Sequence, residues 1–256
     1  LARHLVTEHG VAHLLLSSRR GPQAEGAAEQ VAELLALGAE SAEVVACDVA
    51  DLEDLRAVLA SMDPTRPLTG VIHLAGVLDD GVVSGMSPAS LQGVLTPKVD
   101  GAWNLHQATR DHSLASFILF SSVAGMFGNP AQGNYSAANL FLDALAAHRR
   151  AQGQPGLSLA WGAWAGGGML DTLSDAEQER IRRSGLTPLT PEQGLQLFDD
   201  ALERRESVMM SANLDHKQLQ RQATEGMPVP WILRGLISAP GRADSAAAGA
   251  AAIALR

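Results

Sequence analysis

Six short apolar runs, each separated from the next by an amphipathic stretch, recur along the whole chain, and this alternation narrows the folds open to it. The runs are AHLLLSS (12–18), EVVACD (43–48), GVIHLAG (70–76), FILFSS (117–122), LSLAW (157–161) and SVMMSA (207–212). They are short and mostly lack polar alternation, as strands buried on both faces of a parallel sheet do. The stretches between them carry helical periods. Leu52, Leu55, Leu59 and Met62 share one face. Thr190-Pro191-Glu192-Gln193 reads as a capping box with Pro in the first helical position, ahead of the stripe Leu195, Phe198 and Leu202. Strand–helix alternation of this kind predicts an α/β fold with a doubly wound, Rossmann-like parallel sheet and right-handed crossovers.

Two segments break the rhythm. Residues 162–187 place a glycine cluster and a short polar helix between two strands, long for a crossover, and read as a lid over a ligand site. Residues 239–256, APGRADSAAAGAAAIALR, show no apolar period and read as a linker. The expected division is thus a catalytic domain over 1–238 and an Ala-rich linker over 239–256.

Composition excludes several classes. With 46% hydrophobic and 18% charged residues the chain can build a core and is not of disordered type. A net charge of −9 argues against a nucleic-acid partner, because phosphate backbones are bound by surplus Lys and Arg. The single cysteine, Cys47, cannot pair within the chain, which points to a reducing, cytoplasmic setting. No apolar run approaches the roughly 20 residues that span a bilayer, so no membrane contact is expected. The opening LARHLVTEHG carries no Met and no secretory signal, and reads as mid-helix in a longer polypeptide.

The loop Ser17-Ser18-Arg19-Arg20-Gly21 closes the first run. At this point of dinucleotide folds an acid bonds the ribose 2′-hydroxyl, whereas arginine accommodates a 2′-phosphate. Two arginines, two hydroxyls and no acid favour NADPH, with a solvated basic turn as the plainer alternative. The glycine-rich turn that cradles a pyrophosphate is absent: no GxGxxG follows a strand, and Gly166–Gly168 leads into the lid-like segment. Residues 1–9 already read as the first helix, so that turn and its strand would lie upstream of Leu1. Residues 1–256 alone are therefore expected to leave a gap in the sheet.

The middle of the chain holds a set suited to carbonyl reduction. Ser121 and Ser122 end a strand, Tyr135 begins a helix, and Asn139 follows at i+4 on the same face. Lys98 stands on a separate helix, in Thr96-Pro97-Lys98-Val99. Reduction needs a proton donor beside the carbonyl oxygen, a second hydrogen bond to hold that oxygen, and a positive charge to lower the donor's pKa. Tyr, Ser and Lys supply these; singly, each also reads as an ordinary helix-start aromatic, strand-end hydroxyl or surface charge. No metal ligands are assigned.

The motifs GVIHLAG–LDDG, TPKVDG, FSSVAG, GNYSAANLFLDALA and LAWGAW, in this order and spacing, resemble ketoreductase domains of modular polyketide synthases, within the short-chain dehydrogenase/reductase superfamily. The resemblance covers about residues 1–238. Ordinary members carry Tyr-x-x-x-Lys, whereas here the helix reads Tyr135-Ser136-Ala137-Ala138-Asn139 and the lysine comes earlier, at Lys98, as in the synthase domains.

The resemblance implies Tyr135 as general acid and Ser122 as the hydrogen bond to the carbonyl. It implies Lys98 on the nicotinamide ribose, lowering the Tyr135 pKa, with Asn139 supporting it and a relay water. Ser18, Arg19, Asp48, Val49, Ala75 and Gly76 would join Lys98 and Tyr135 in binding NADPH, with Asp48-Val49 at the adenine and Ala75-Gly76 giving close passage. The substrate would be a β-ketoacyl chain on an acyl carrier protein, and a structural half-domain upstream would supply a pairing strand. Leu78-Asp79-Asp80 resembles the substrate-guiding signature of the B-type class, which yields the D-hydroxyl. Phe127 stands where A-type members have tryptophan, and Ala137 where epimerising ones have proline. Two other readings stay open: a free-standing reductase of a soluble ketone, and a catalytically inactive structural ketoreductase domain.

Overall fold

The structure, a computed structural model, describes residues 1–166, 185–227 and 229–237. All six apolar runs are strands: β1 (His13–Ser18), β2 (Ser41–Ala46), β3 (Gly70–His73), β4 (Ser116–Ser122), β5 (Leu157–Trp161) and β7 (Val208–Ser211), with a two-residue β6 (Leu186–Thr187) before the last. The helices are α1 (Ala2–Thr7), α2 (Ala27–Ala36), α3 (Leu52–Ser61), α4 (Pro88–Leu95), α5 (Gly101–Ala108), α6 (Val123–Phe127), α7 (Gly133–Ala151), α8 (Pro191–Leu202) and α9 (His216–Thr224). Most of the lid-like segment (167–184) and the tail (239–256) lie outside the described residues. Among those described, no helix is long and apolar enough to cross a membrane.

Every pairing among the six main strands is parallel, in two sheets: β1-β2, and β3-β4-β5-β7. Among the described residues no ladder joins β1 to β3, so the two sheets are separate.

The contacts divide the chain into two units, one of Leu1–Thr172 with Pro188–Asn213, the other of Leu173–Thr187 with Leu214–Arg256. In the first, successive residues of β4 feed opposite cores. Phe117 and Leu119 point into a cluster with Val71, Leu105, Leu142 and Leu145, from β3, α5 and α7. Ile118 points into another with Leu159, Trp161, Leu189 and Phe198, against which Leu1 and, from α1, Leu5 pack. A strand with apolar neighbours on both faces has no polar position to spare, hence the unbroken run FILF. The first-unit helix α8 has the expected capping box: Thr190 Oγ1 accepts from the Gln193 amide, and Gln193 Oε1 from the Thr190 amide. The described part of the second unit holds β6 and α9, the helix capped by Asp215, whose carboxylate accepts from the Gln218 amide.

Two boundaries differ from the sequence reading. β2 ends at Ala46 and β3 at His73, so Asp48, Ala75 and Gly76 follow their strands instead of ending them. The apolar runs continue past the last ladder pairs, and apolar character alone does not mark where pairing stops.

Candidate active site

The candidate residues lie about the carboxyl ends of parallel strands, where ligands sit in open α/β sheets. Ser122 ends β4 and its Oγ caps α6 by accepting from the Ala124 amide at 3.2 Å. Tyr135 lies in the first turn of α7, 9% exposed. Its hydroxyl makes a side-chain hydrogen bond with Ser122. Asn139, fully buried, donates from Nδ2 to the Tyr135 carbonyl at 2.8 Å, and its Oδ1 has no partner among the described residues.

Lys98 is 3% exposed, and its Nζ donates to the Phe120 carbonyl at 2.8 Å while standing 5.6 Å from the centre of the Tyr135 ring. Burial lowers its pKa to about 8, with Asp143 pulling the other way. A Cβ on Gly76 would lie 2.7 Å from Lys98 Cε. The close approach at Gly76 is therefore made by the lysine stem, a reason for glycine that the sequence reading did not contain.

Burial holds the Tyr135 phenol above its ordinary value, outweighing the hydrogen bonds with Ser122 and Asn139. The ammonium stands over the ring, tied to the Phe120 carbonyl. Tyr135 is thus protonated at neutral pH, the state a proton donor needs before reaction.

The loop after β3 is pinned against the start of α7. Asp79 accepts at its carbonyl from Asn134 Nδ2, Asp80 Oδ2 accepts from Gln132 Nε2, both at 2.8 Å, and the Gly81 amide donates to the Ala131 carbonyl at 2.7 Å. Leu78 packs on the cluster of Val94, Ala124, Tyr135 and Ala138. Phe127 is half-buried and Ala137 exposed.

The remaining candidates lie at the ends of β1 and β2. Ser18 Oγ accepts from the Gly21 amide at 3.0 Å, and Arg19 and Arg20 are exposed with no ion pair among the described residues. Asp48 Oδ1 accepts from the Ala50 amide, and the Val49 carbonyl accepts from Asn104 of α5. No hydrogen bond among the described residues joins Ser18, Arg19 or Asp48 to the tyrosine cluster.

Sequence reasoning missed three groups here. His73 is buried and donates from Nε2 to the Pro97 carbonyl at 3.0 Å. Residues Thr96–Asp100 form a π turn between α4 and α5, around the Lys98 that the sequence places only on a separate helix; the proline within it was the available signal. Asp143 is buried one turn beyond Asn139 and accepts from Ser158 at 2.6 Å.

Comparisons with known proteins agree with this geometry. A family model described as the KR domain matches residues 1–166. Polyketide synthase GfsB of Streptomyces halstedii is 54% identical over 238 residues, which are 93% of this chain and 4% of that protein. Spectinabilin polyketide synthase system protein NorB of Streptomyces orinoci is 51% identical over 100% of this chain and 12% of its own length. The chain thus spans a small fraction of these relatives. Among solved structures, an A-type ketoreductase from a modular polyketide synthase superposes with a TM-score of 0.81 at 41% identity, over 89% of this chain and 47% of that one. The first ketoreductase of the tylosin synthase gives 0.78 at 39% identity, over 89% and 49%. The fold is therefore the Rossmann-like one, with the nicotinamide chemistry it implies, and the chain belongs to the KR-domain family, the ketoreductases of polyketide synthases.

Proposed function

We propose that this domain reduces a β-ketoacyl thioester carried on an acyl carrier protein to the D-β-hydroxyacyl thioester, using NADPH. The observation that carries the reading is the hydroxyl pair of Tyr135 and Ser122 in contact, with the buried Lys98 ammonium beside the tyrosine ring.

The residues present fit a nicotinamide dinucleotide. Arg19 and Arg20, exposed and unpaired by any acid among the described residues, suit a 2′-phosphate. Ser18, Asp48 and Val49 stand at the neighbouring strand ends for the adenosine, and Ala75 and Gly76 beside Lys98 for the nicotinamide. When bound, the cofactor supplies the hydride. The chain's own residues handle the oxygen. Ser122 and Tyr135 donate to the carbonyl, and as negative charge develops there the Tyr135 O–H bond breaks and its proton passes to the alkoxide. Lys98, charged at neutral pH, offsets the phenolate left behind; in a buried site that attraction is far stronger than in water. The unpartnered Asn139 Oδ1 offers an acceptor for a relay water that returns a proton to Tyr135.

A carrier-bound substrate is supported by the polyketide synthase relatives; an upstream structural half-domain and a linker role for 239–256 belong to the same proposal. The B-type outcome rests on Leu78, Asp79 and Asp80, on Phe127 and on Ala137, since the A-type structures share the fold. Incubating the full-length protein with NADPH and a racemic 2-methyl-3-ketoacyl thioester, then resolving the products by chiral chromatography, tests it. The D-hydroxy product with its α-methyl group unchanged is expected. A dominant L-hydroxy product would overturn the B-type assignment.

A further inference from the structure

We infer that His73 is a positioning residue for Lys98, fixing through the Pro97 carbonyl the peptide from which the lysine springs. The inference rests on the role given to Lys98 above. The helix from α4 to α5 is interrupted at Thr96–Asp100, where the Gly101 amide bonds the carbonyls of Thr96 and Lys98. In an unbroken α-helix that amide would serve Pro97, its i−4 partner. The two bonds straddle Pro97, so the Gly101 amide passes its carbonyl by. The His73 Nε2 takes it, 3.0 Å away, from the end of β3. A carbonyl shielded from water needs a donor, and the His73 N–H supplies one to this part-buried group.

The imidazole is suited to that task. It is 3% exposed, and burial together with the Lys98 charge holds its pKa down to about 4, so it is neutral with one N–H to give. A carbonyl can only accept, so Nε2 carries that hydrogen. Gly101 makes room: a Cβ there would lie 3.5 Å from His73 Cε1 and 2.9 Å from Val49 Cγ2. The Pro97 carbonyl belongs to the peptide that leads into Lys98. His73 thus holds the near end of the lysine, while Gly76 and the Phe120 carbonyl confine its far end.

The test uses the full-length protein with a 3-ketoacyl thioester and NADPH, comparing His73→Leu and His73→Gln in the native and Lys98→Ala backgrounds. A misplacement on the order of 1 Å can cost about a hundredfold in rate. His73→Leu should therefore lower kcat about a hundredfold and weaken NADPH binding, whereas His73→Gln, which keeps an N–H donor, should stay within about tenfold of native. With Lys98 already removed, His73→Leu should cost nothing further, because its effect runs through that lysine. An equal loss in both backgrounds, or a glutamine variant as impaired as the leucine one, would overturn the inference. Should His73→Leu not fold, the glutamine variant decides alone: a loss beyond about tenfold contradicts it. If Lys98→Ala itself retained native turnover, the failure would lie with the role of Lys98.

Discussion

Ala131 is the only non-glycine residue with a positive φ, +66°, among the described residues, and its carbonyl anchors the Gly81 amide beside the tyrosine helix. Left-handed backbone costs a residue with a Cβ roughly 1–2 kcal/mol. Ala131→Gly should therefore raise the melting temperature by a few degrees in a calorimetric scan, the gain trimmed by glycine's greater freedom when unfolded. An unchanged or lower melting temperature would mean the turn carries no strain. At the other end of the site, Arg19→Ala with Arg20→Ala should raise the KM for NADPH far more than that for NADH. Each charge-assisted contact to phosphate is worth about 1.5–3 kcal/mol. Equal effects on both cofactors would remove the 2′-phosphate role. Ser122, Tyr135 and Asn139 were placed in the sequence by a strand end and a helical spacing, while Lys98 and the grouping of all four came from the resemblance to ketoreductase domains. His73 was not: inside GVIHLAG it reads as one more strand residue, and its partner is a carbonyl freed by a turn in a different element.

The strands were legible as elements because β4 and β5 are buried on both sides, and five apolar or small residues in a row have few other uses. The segment that bears Lys98 was legible only as a helix. Its π turn arises from how Pro97, Gly101 and His73 meet, and helical periodicity carries no trace of that meeting. Glycines at element ends were partly legible. Gly21 follows β1 at φ +50°, and a Cβ there would run into the Ala46 backbone, so the turn after β1 cannot accept a larger residue without displacing β2. Gly76→Ala makes an element-scale prediction. The methyl group would displace the Lys98 stem, and kcat should fall at least tenfold while the fold, followed by circular dichroism, persists; such losses attend small misplacements of catalytic groups. Native turnover in Gly76→Ala would show that the lysine does not need its present course.

At the scale of the molecule, the first unit carries its chemistry on an interior of buried polar groups, and these should tie its stability to pH. His73 takes up a proton near pH 6.5 when unfolded and only near 4 when folded. Between those values the unfolded chain binds more protons, so stability rises with pH across this window and falls as pH drops from about 6.5 to about 4. The span is worth on the order of 3 kcal/mol at most. Asp143, whose carboxyl burial pushes upward, gains its proton more readily when folded and offsets part of the loss. Melts of native protein and His73→Gln at pH 7 and pH 4.5 should show the variant losing less stability on acidification; equal losses would count against a buried neutral imidazole. The second unit was not legible in the sequence, because its short elements carry little periodic signal. The central claim is that Tyr135 delivers the proton in a ketone reduction, and turnover of a 3-ketoacyl thioester with NADPH by Tyr135→Phe tests it most directly. The variant should bind NADPH nearly as the native protein does, by fluorescence titration, while its kcat falls by about 10²–10⁴, the usual contribution of a general acid. A phenylalanine variant that keeps most of its turnover would contradict the account.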